Sequence, residues 1–133
     1  MDNLDESLKL YERLFHLRPS AVVDVLGGRV KAALLPVGDG EIELLQPIDP
    51  KIPLMEYLRK QGSGIHHFSL ATDDIEAEVD RLRKEGVIFD RERPTVGAHG
   101  TRIIFAIPQS MGGASIELIE EPHNIKKGSK AIR

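Results

Sequence analysis

Asp2-Asn3-Leu4-Asp5-Glu6-Ser7-Leu8 is similar to Asp73-Asp74-Ile75-Glu76-Ala77-Glu78-Val79, 71 residues further on. Ile42-Glu43-Leu44-Leu45 is similar to Ile116-Glu117-Leu118-Ile119, 74 residues further on, and the two copies then reach Pro47 and Pro122. Two matches in the same order and at nearly the same spacing read as two copies of one supersecondary unit. A chain of 133 residues holds one compact domain, so the copies must share it. The other bulk properties mostly exclude. With 18 Lys and Arg against 21 Asp and Glu, a chain that coats nucleic acid is not expected. The absence of cysteine removes a disulfide scaffold, a thiolate zinc site and a Cys nucleophile. No apolar run approaches the ~20 residues of a membrane span. The acidic start, Met1-Asp2-Asn3-Leu4-Asp5-Glu6, does not read as a signal peptide, and the expectation is a cytoplasmic single domain.

Each copy opens with a helix. Leu4, Leu8, Tyr11 and Phe15 recur at helical spacing in the first, with Asn3 and Glu6 as a capping pair. In the second, Ile75, Val79 and Leu82 form the stripe, Asp73 and Glu76 supply the start, and Gly86 is the stop. Strands are expected over 21–26, 29–36 and 41–46, and over 87–89, 101–107 and 114–120, with Gly38-Asp39-Gly40 as a hairpin turn. A short helix over 52–60 links the halves. The second copy has a further strand, 64–72, ahead of its helix. At an offset of 71 its counterpart would end at residue 1, so the order reads β-α-β-β-β in copy two and α-β-β-β in copy one. The expected organisation is one domain over 1–122, with module one at 1–50, a linker helix at 51–62 and module two at 63–122. A basic tail follows at 123–133. A missing first strand leaves a neighbouring strand with unpaired backbone groups, which favours dimerisation or lowers stability.

Alternation along the strands separates three polar side chains from the bulky apolar ones. Ile42 and Leu44 share a face while Glu43 lies opposite; Ile116 and Leu118 share a face while Glu117 lies opposite. In the strand before the second helix, His66 goes with Phe68 and Leu70, and His67 with Ile65, Ser69 and Ala71. Two readings are open. Glu43, His67 and Glu117 face water on a one-sided sheet, or a sheet curled about the pseudo-twofold axis of the repeat gathers them. Imidazole and carboxylates without thiolate suit Co, Mn, Fe, Ni or Zn, and composition does not choose among these.

Several stretches carry a resemblance. They are 3–7 with Tyr11-Glu12, Leu35-Pro36-Val37-Gly38-Asp39, Ile42-Glu43-Leu44-Leu45, Gly64-Ile65-His66-His67 and Asp73-Asp74-Ile75. The likeness continues through Pro94-Thr95-Val96-Gly97-Ala98-His99-Gly100, 105–108 and 112–118. Together they resemble the methylmalonyl-CoA epimerases of the vicinal-oxygen-chelate superfamily, which includes glyoxalase and bleomycin-resistance proteins. The likeness spans about residues 2–121. It implies an α+β fold of paired βαβββ modules, their mixed sheets curled into a metal-binding cup, with the first strand absent here. It also implies one divalent metal ion, cobalt by resemblance, held by His67, Glu117 and Glu43. The family's other histidine ligand belongs to the first strand and would fall about four residues before Met1. Two departures stand out. His16 replaces the glycine usual after the first helix, which a left-handed histidine tolerates. Residues 18–28 match poorly, so no second base is placed.

The implied chemistry is epimerisation of methylmalonyl-CoA at C2. The C2 hydrogen lies between a thioester and a carboxylate, so its removal gives an enolate that a divalent cation stabilises as a Lewis acid. The resemblance gives Glu117 the parts of ligand and catalytic base; the acid on the other face stays unassigned. The implied partner is an acyl-CoA thioester, with no nucleic acid and no membrane, and the implied assembly is a homodimer. Alternatives are a glyoxalase-type isomerase, an Fe(II) dioxygenase, or a non-catalytic binding module that has lost its metal. Metal assays with each substrate separate them. The segment 95–101 reads as a flap hinged at Gly97 and Gly100 or as an ordinary hairpin loop. His66 is assigned to the packed face. The four positive charges of 126–133 meet CoA phosphates or belong to a solvated terminus.

Overall fold

The two helices that open the repeat are built the same way. In the computed structural model, which describes residues 1–121, α1 spans Leu4–Phe15 and the second repeat helix, α3, spans Ile75–Lys84. Asn3 caps α1 by accepting the Glu6 N–H at 3.1 Å, and Asp74 caps α3 by accepting the Ala77 N–H at 3.1 Å. The expected cap, Asp73, lies one residue too early, since the extended backbone that turns the side chain back onto the helix falls at Asp74. The first N–H of each helix meets the side chain of a strand end. Leu4 N–H donates to Gln46 Oε1 at 2.9 Å and Ile75 N–H to Glu120 Oε2 at 3.1 Å. Asn3 and Asp74 are 71 apart, as are Leu4 and Ile75, while Gln46 and Glu120 are 74 apart. The sequence repeat is therefore a repeat of hydrogen bonds.

The chain divides into two compact units at Gly64 and Ile65. In the first, β1 (Ala21–Val25), β2 (Val30–Val37) and β3 (Gly40–Pro47) form an antiparallel sheet in that order. Gly38, at φ 58, is the first central residue of the two-residue turn between β2 and β3, as expected. Ala33 and Leu44 are cross-strand partners, as are Leu35 and Ile42. Leu4, Ala33, Leu35 and Leu44 form the core under α1, joined by Leu8, Tyr11 and Leu17. Phe15, expected in that stripe, is 62% exposed. The helix ends there: His16 takes the left-handed conformation at φ 57, its N–H returning to Glu12 and the Leu17 N–H to Tyr11. This C-terminal turn folds Leu17 onto the core instead. Among the described residues β3 is an edge strand of this sheet, and the Met1 amino group donates to the Leu45 carbonyl at 2.9 Å. The linking helix, α2, spans Pro53–Gln61 with proline in its first turn.

In the second unit, β4 (Phe68–Thr72), β5 (Thr95–Val96), β6 (Arg102–Ala106) and β7 (Ile116–Glu120) lie in the order β4-β7-β6-β5. β4 runs parallel to β7, and the other pairs are antiparallel. Ile75, Val79, Ile104 and Leu118 make the core with Leu82 and Phe89, and Gly86, at φ 95, follows the end of α3 as expected. The strand expected over 87–89 is reduced to one bridge, Phe89 to Ala106. The Val87 N–H turns back to the Leu82 carbonyl of α3, and the Ile88 N–H goes to the Ser110 hydroxyl, so neither joins a ladder. The strand expected to begin at Gly64 begins at Phe68. The basic tail lies outside the described residues.

The cap gives a direct test. Asp74→Ala should lower stability by about 1 kcal/mol in urea unfolding, while Asp74→Asn, which keeps the acceptor, should stay within a few tenths of that scale. An equal loss in both variants would assign the effect to charge and not to the cap.

Candidate functional site

Register decides which side chains meet on each face of the second sheet. Leu70, Leu118 and Ile104 are successive cross-strand partners, and Leu118 and Ile104 pack under α3. The adjacent row, Ser69, Glu117 and Phe105, therefore lies on the opposite face. Alternation had placed Glu117 there, and the register bears that out. The same test holds in the first unit. Glu43 pairs with Leu34, a row removed from the Ala33–Leu44 pair of the core.

His67, just ahead of β4, reaches the Ser69–Glu117–Phe105 row. Its Nε2 lies 4.0 Å from Glu117 Oε2, and the two side chains are only 14% and 13% exposed. Ser69 Oγ donates to the other oxygen, Glu117 Oε1, at 2.7 Å. The Phe105 ring meets the His67 ring edge-on, with centroids 5.2 Å apart. On the far side of the imidazole, His67 Nδ1 lies 2.7 Å from His66 Nδ1. One of those nitrogens must carry the proton and the other accept it.

That ring-to-ring bond also corrects the assignment of His66. Side chains of adjacent residues in a pleated strand point to opposite faces. Two consecutive histidines can join only where the pleat is broken, and the strand indeed starts after them. His66 is therefore a neighbour of the site, half-buried beside His67, and not a member of the packed row.

Burial controls the protonation of the pair. Removal from water pushes the His67 pKa down from 6.5 to about 4, with the adjacent His66 adding to the effect. Burial lowers His66 as well. At neutral pH, His67 thus presents a neutral ring nitrogen to a carboxylate oxygen rather than forming an ion pair with it. Neutral imidazole with carboxylate is a donor set for a divalent ion, so the pair fits a metal in its chemistry. The 4.0 Å gap is about half an ångström wider than the separation of two tetrahedral donors with bonds of ~2.0–2.2 Å, so the side chains would close slightly on the ion. Among the described residues, no group of three or more His, Asp or Glu side chains forms a metal-holding cluster.

Ser69 is the site residue that sequence reasoning passed over. Alternation put it on the face of His67, but a serine in a strand carries no signal of its own until its partner across the sheet is known. The segment 95–101 opens as the short strand β5 and then turns back toward β6, the Gly97 N–H donating to the Thr101 carbonyl at 2.8 Å. A Cβ on Gly97 would lie 2.8 Å from Ile103 Cδ1, so close approach accounts for that glycine.

Residues 1–105 match the family model of the glyoxalase/bleomycin resistance protein/dioxygenase superfamily. The chain belongs to this superfamily, and its fold is glyoxalase-like. Over 120 residues it is 38% identical to the mitochondrial methylmalonyl-CoA epimerase of Dictyostelium discoideum, covering 90% of this chain and 72% of that protein. A hypothetical protein of Bacillus halodurans C-125 superposes with a TM-score of 0.86 at 28% identity, covering 95% of this chain and 91% of the other. A variant of the Streptomyces coelicolor methylmalonyl-CoA epimerase, in complex with 2-nitronate-propionyl-CoA, superposes with a TM-score of 0.79 at 25% identity, covering 90% of each chain.

The buried histidine sets a pH dependence. The unfolded chain takes up a proton on residue 67 near pH 6.5, whereas the folded chain resists until about pH 4. Stability from this residue is therefore complete above 6.5, declines as pH falls toward 4 and levels off below. For the metal-free chain the decline should reach about 3 kcal/mol. Urea unfolding across that window should show His67→Phe losing less than the parent by a similar amount. Parallel losses would mean that His67 is not the titrating group.

Proposed function

We propose that this chain interconverts the R and S forms of methylmalonyl-CoA by removing and returning the C2 proton. The observation that carries the reading is the neutral His67 imidazole facing the Glu117 carboxylate at 4.0 Å, in a chain 38% identical to the Dictyostelium discoideum epimerase. Among the described residues, no helix is long and apolar enough to cross a membrane. A cytoplasmic setting, an acyl-CoA partner and a homodimer belong to the same proposal.

The residues divide the work. His67, kept neutral by burial, keeps a ring nitrogen able to hold a divalent ion, and Glu117 offers a carboxylate oxygen beside it. Glu43 is the third proposed ligand, supported by its place in the repeat, 74 residues before Glu117 on the matching strand face. The ion, cobalt in this reading, supplies Lewis-acid stabilisation of the negative charge that develops on the substrate oxygens. Glu117 is the catalytic base: its carboxylate accepts the C2 proton on one face, and a second group returns a proton on the other. Ser69 and the Phe105 edge restrain the two side chains, so little reorientation is needed as charge moves.

The test is C2 exchange. Protein loaded with Co(II) and incubated with one epimer of methylmalonyl-CoA in D2O should incorporate deuterium at C2 and yield the other epimer. Glu117→Gln should slow exchange by about 100-fold or more, and His67→Ala should lose the ion, read by equilibrium dialysis. Metal binding without exchange would transfer the reading to another glyoxalase-fold chemistry. Absence of metal binding together with retained binding of a small ligand would favour a binding module.

A further inference from the structure

Glu117 is asked to do something demanding in the reading above, and this inference rests on that reading. A glutamate side chain has several rotatable bonds, and a carboxylate can bind a cation through one oxygen or both. Which it does depends on what fixes the terminal torsion. Here the answer lies on the neighbouring strand. The parallel β4–β7 ladder sets Ser69 opposite Glu117. Ser69 is 2% exposed, and its hydroxyl donates to Glu117 Oε1 at 2.7 Å. A bond of that length to an ionised acceptor is of the stronger, charge-assisted kind. The second oxygen, Oε2, is the one turned toward His67 Nε2.

We propose that Ser69 is a positioning residue, whose hydroxyl engages Glu117 Oε1 so that Oε2 is presented beside His67 Nε2 and the carboxylate serves a divalent cation as a one-oxygen donor. Ser69 acts through Glu117, to which its hydroxyl donates, as hydrogen-bond partners of metal ligands commonly do. The alternative is that the hydroxyl merely satisfies itself inside a packed sheet, in which case deleting it would change stability and leave the ion's surroundings as they were.

The experiment uses the full chain without substrate, titrated with Co(II) and followed by visible absorption and calorimetry. Ser69→Ala, nearly the same size, should weaken Co(II) binding by ~10–100-fold and shift the cobalt d–d spectrum as the carboxylate turns to use both oxygens. Ser69→Thr, which restores the hydroxyl, should return both readouts toward the parent. Parent-like affinity and spectrum in Ser69→Ala would overturn the proposal while leaving the functional reading intact. A parent chain that binds no Co(II) would overturn both. If the added methyl of threonine prevents folding, a double-mutant cycle of Ser69→Ala with Glu117→Gln, read in Co(II) affinity, decides. Loss of the Ser69→Ala effect in the Glu117→Gln background sustains the proposal, and the same effect in both backgrounds overturns it.

Discussion

The parallel pairing of β4 with β7 organises the second half of the chain. It sets Leu70 against Leu118 and Ser69 against Glu117, so one ladder builds an apolar row for α3 and a polar row for the opposite face. A slip of one residue would exchange the rows, turning Glu117 into the core and Leu118 out of it. The slip is prevented by the same core it would destroy, since Leu118 and Ile104 are buried with Ile75 and Val79. Hydrophobic burial of one face thus fixes the address of every side chain on the other.

Within that frame, the chemistry follows from the low water content around two side chains. An exposed histidine near a carboxylate would be partly charged at neutral pH and would close on its partner as an ion pair. Burial reverses the preference, because charging the ring costs more than the nearby carboxylate returns. When His67 carries the proton on Nδ1 and donates it to His66, the outcome is an Nε2 lone pair facing a carboxylate oxygen across a gap, an arrangement that attracts a cation. His66 and Phe105 brace the imidazole from two further sides.

Much of this was legible in the residues because it depends on period. The alternation of Ile116, Glu117 and Leu118 placed Glu117 away from the helix, and the spacing of the repeat located both helices. The left-handed His16 was readable from the departure from glycine, and its φ of 57 agrees. What escaped depended on where individual backbone groups find partners. Asp73 and Asp74 are equivalent by composition, and only the extended backbone of Asp74 selects the cap. The stretch 87–89 is as apolar as a strand should be, yet its N–H groups are claimed by Leu82 and Ser110. Ser69 belongs to the same class: its meaning resides entirely in the residue across the ladder.

Gln46 and Glu120 occupy matching joints, each tying a strand end to the first turn of its helix, but they differ in charge. Gln46 makes its bond to Leu4 as a neutral amide. Glu120 is also gripped by Arg102 through both carboxylate oxygens, while Arg102 reaches Glu76 of α3. The guanidinium and then the Ile75 N–H hold the Glu120 carboxyl below its ordinary range. One unit therefore carries a joint that is indifferent to acid and salt, and the other an ionic one. Acid and concentrated electrolyte act on the second joint and pass over the first, so matching positions of the repeat respond differently to the same change of solvent.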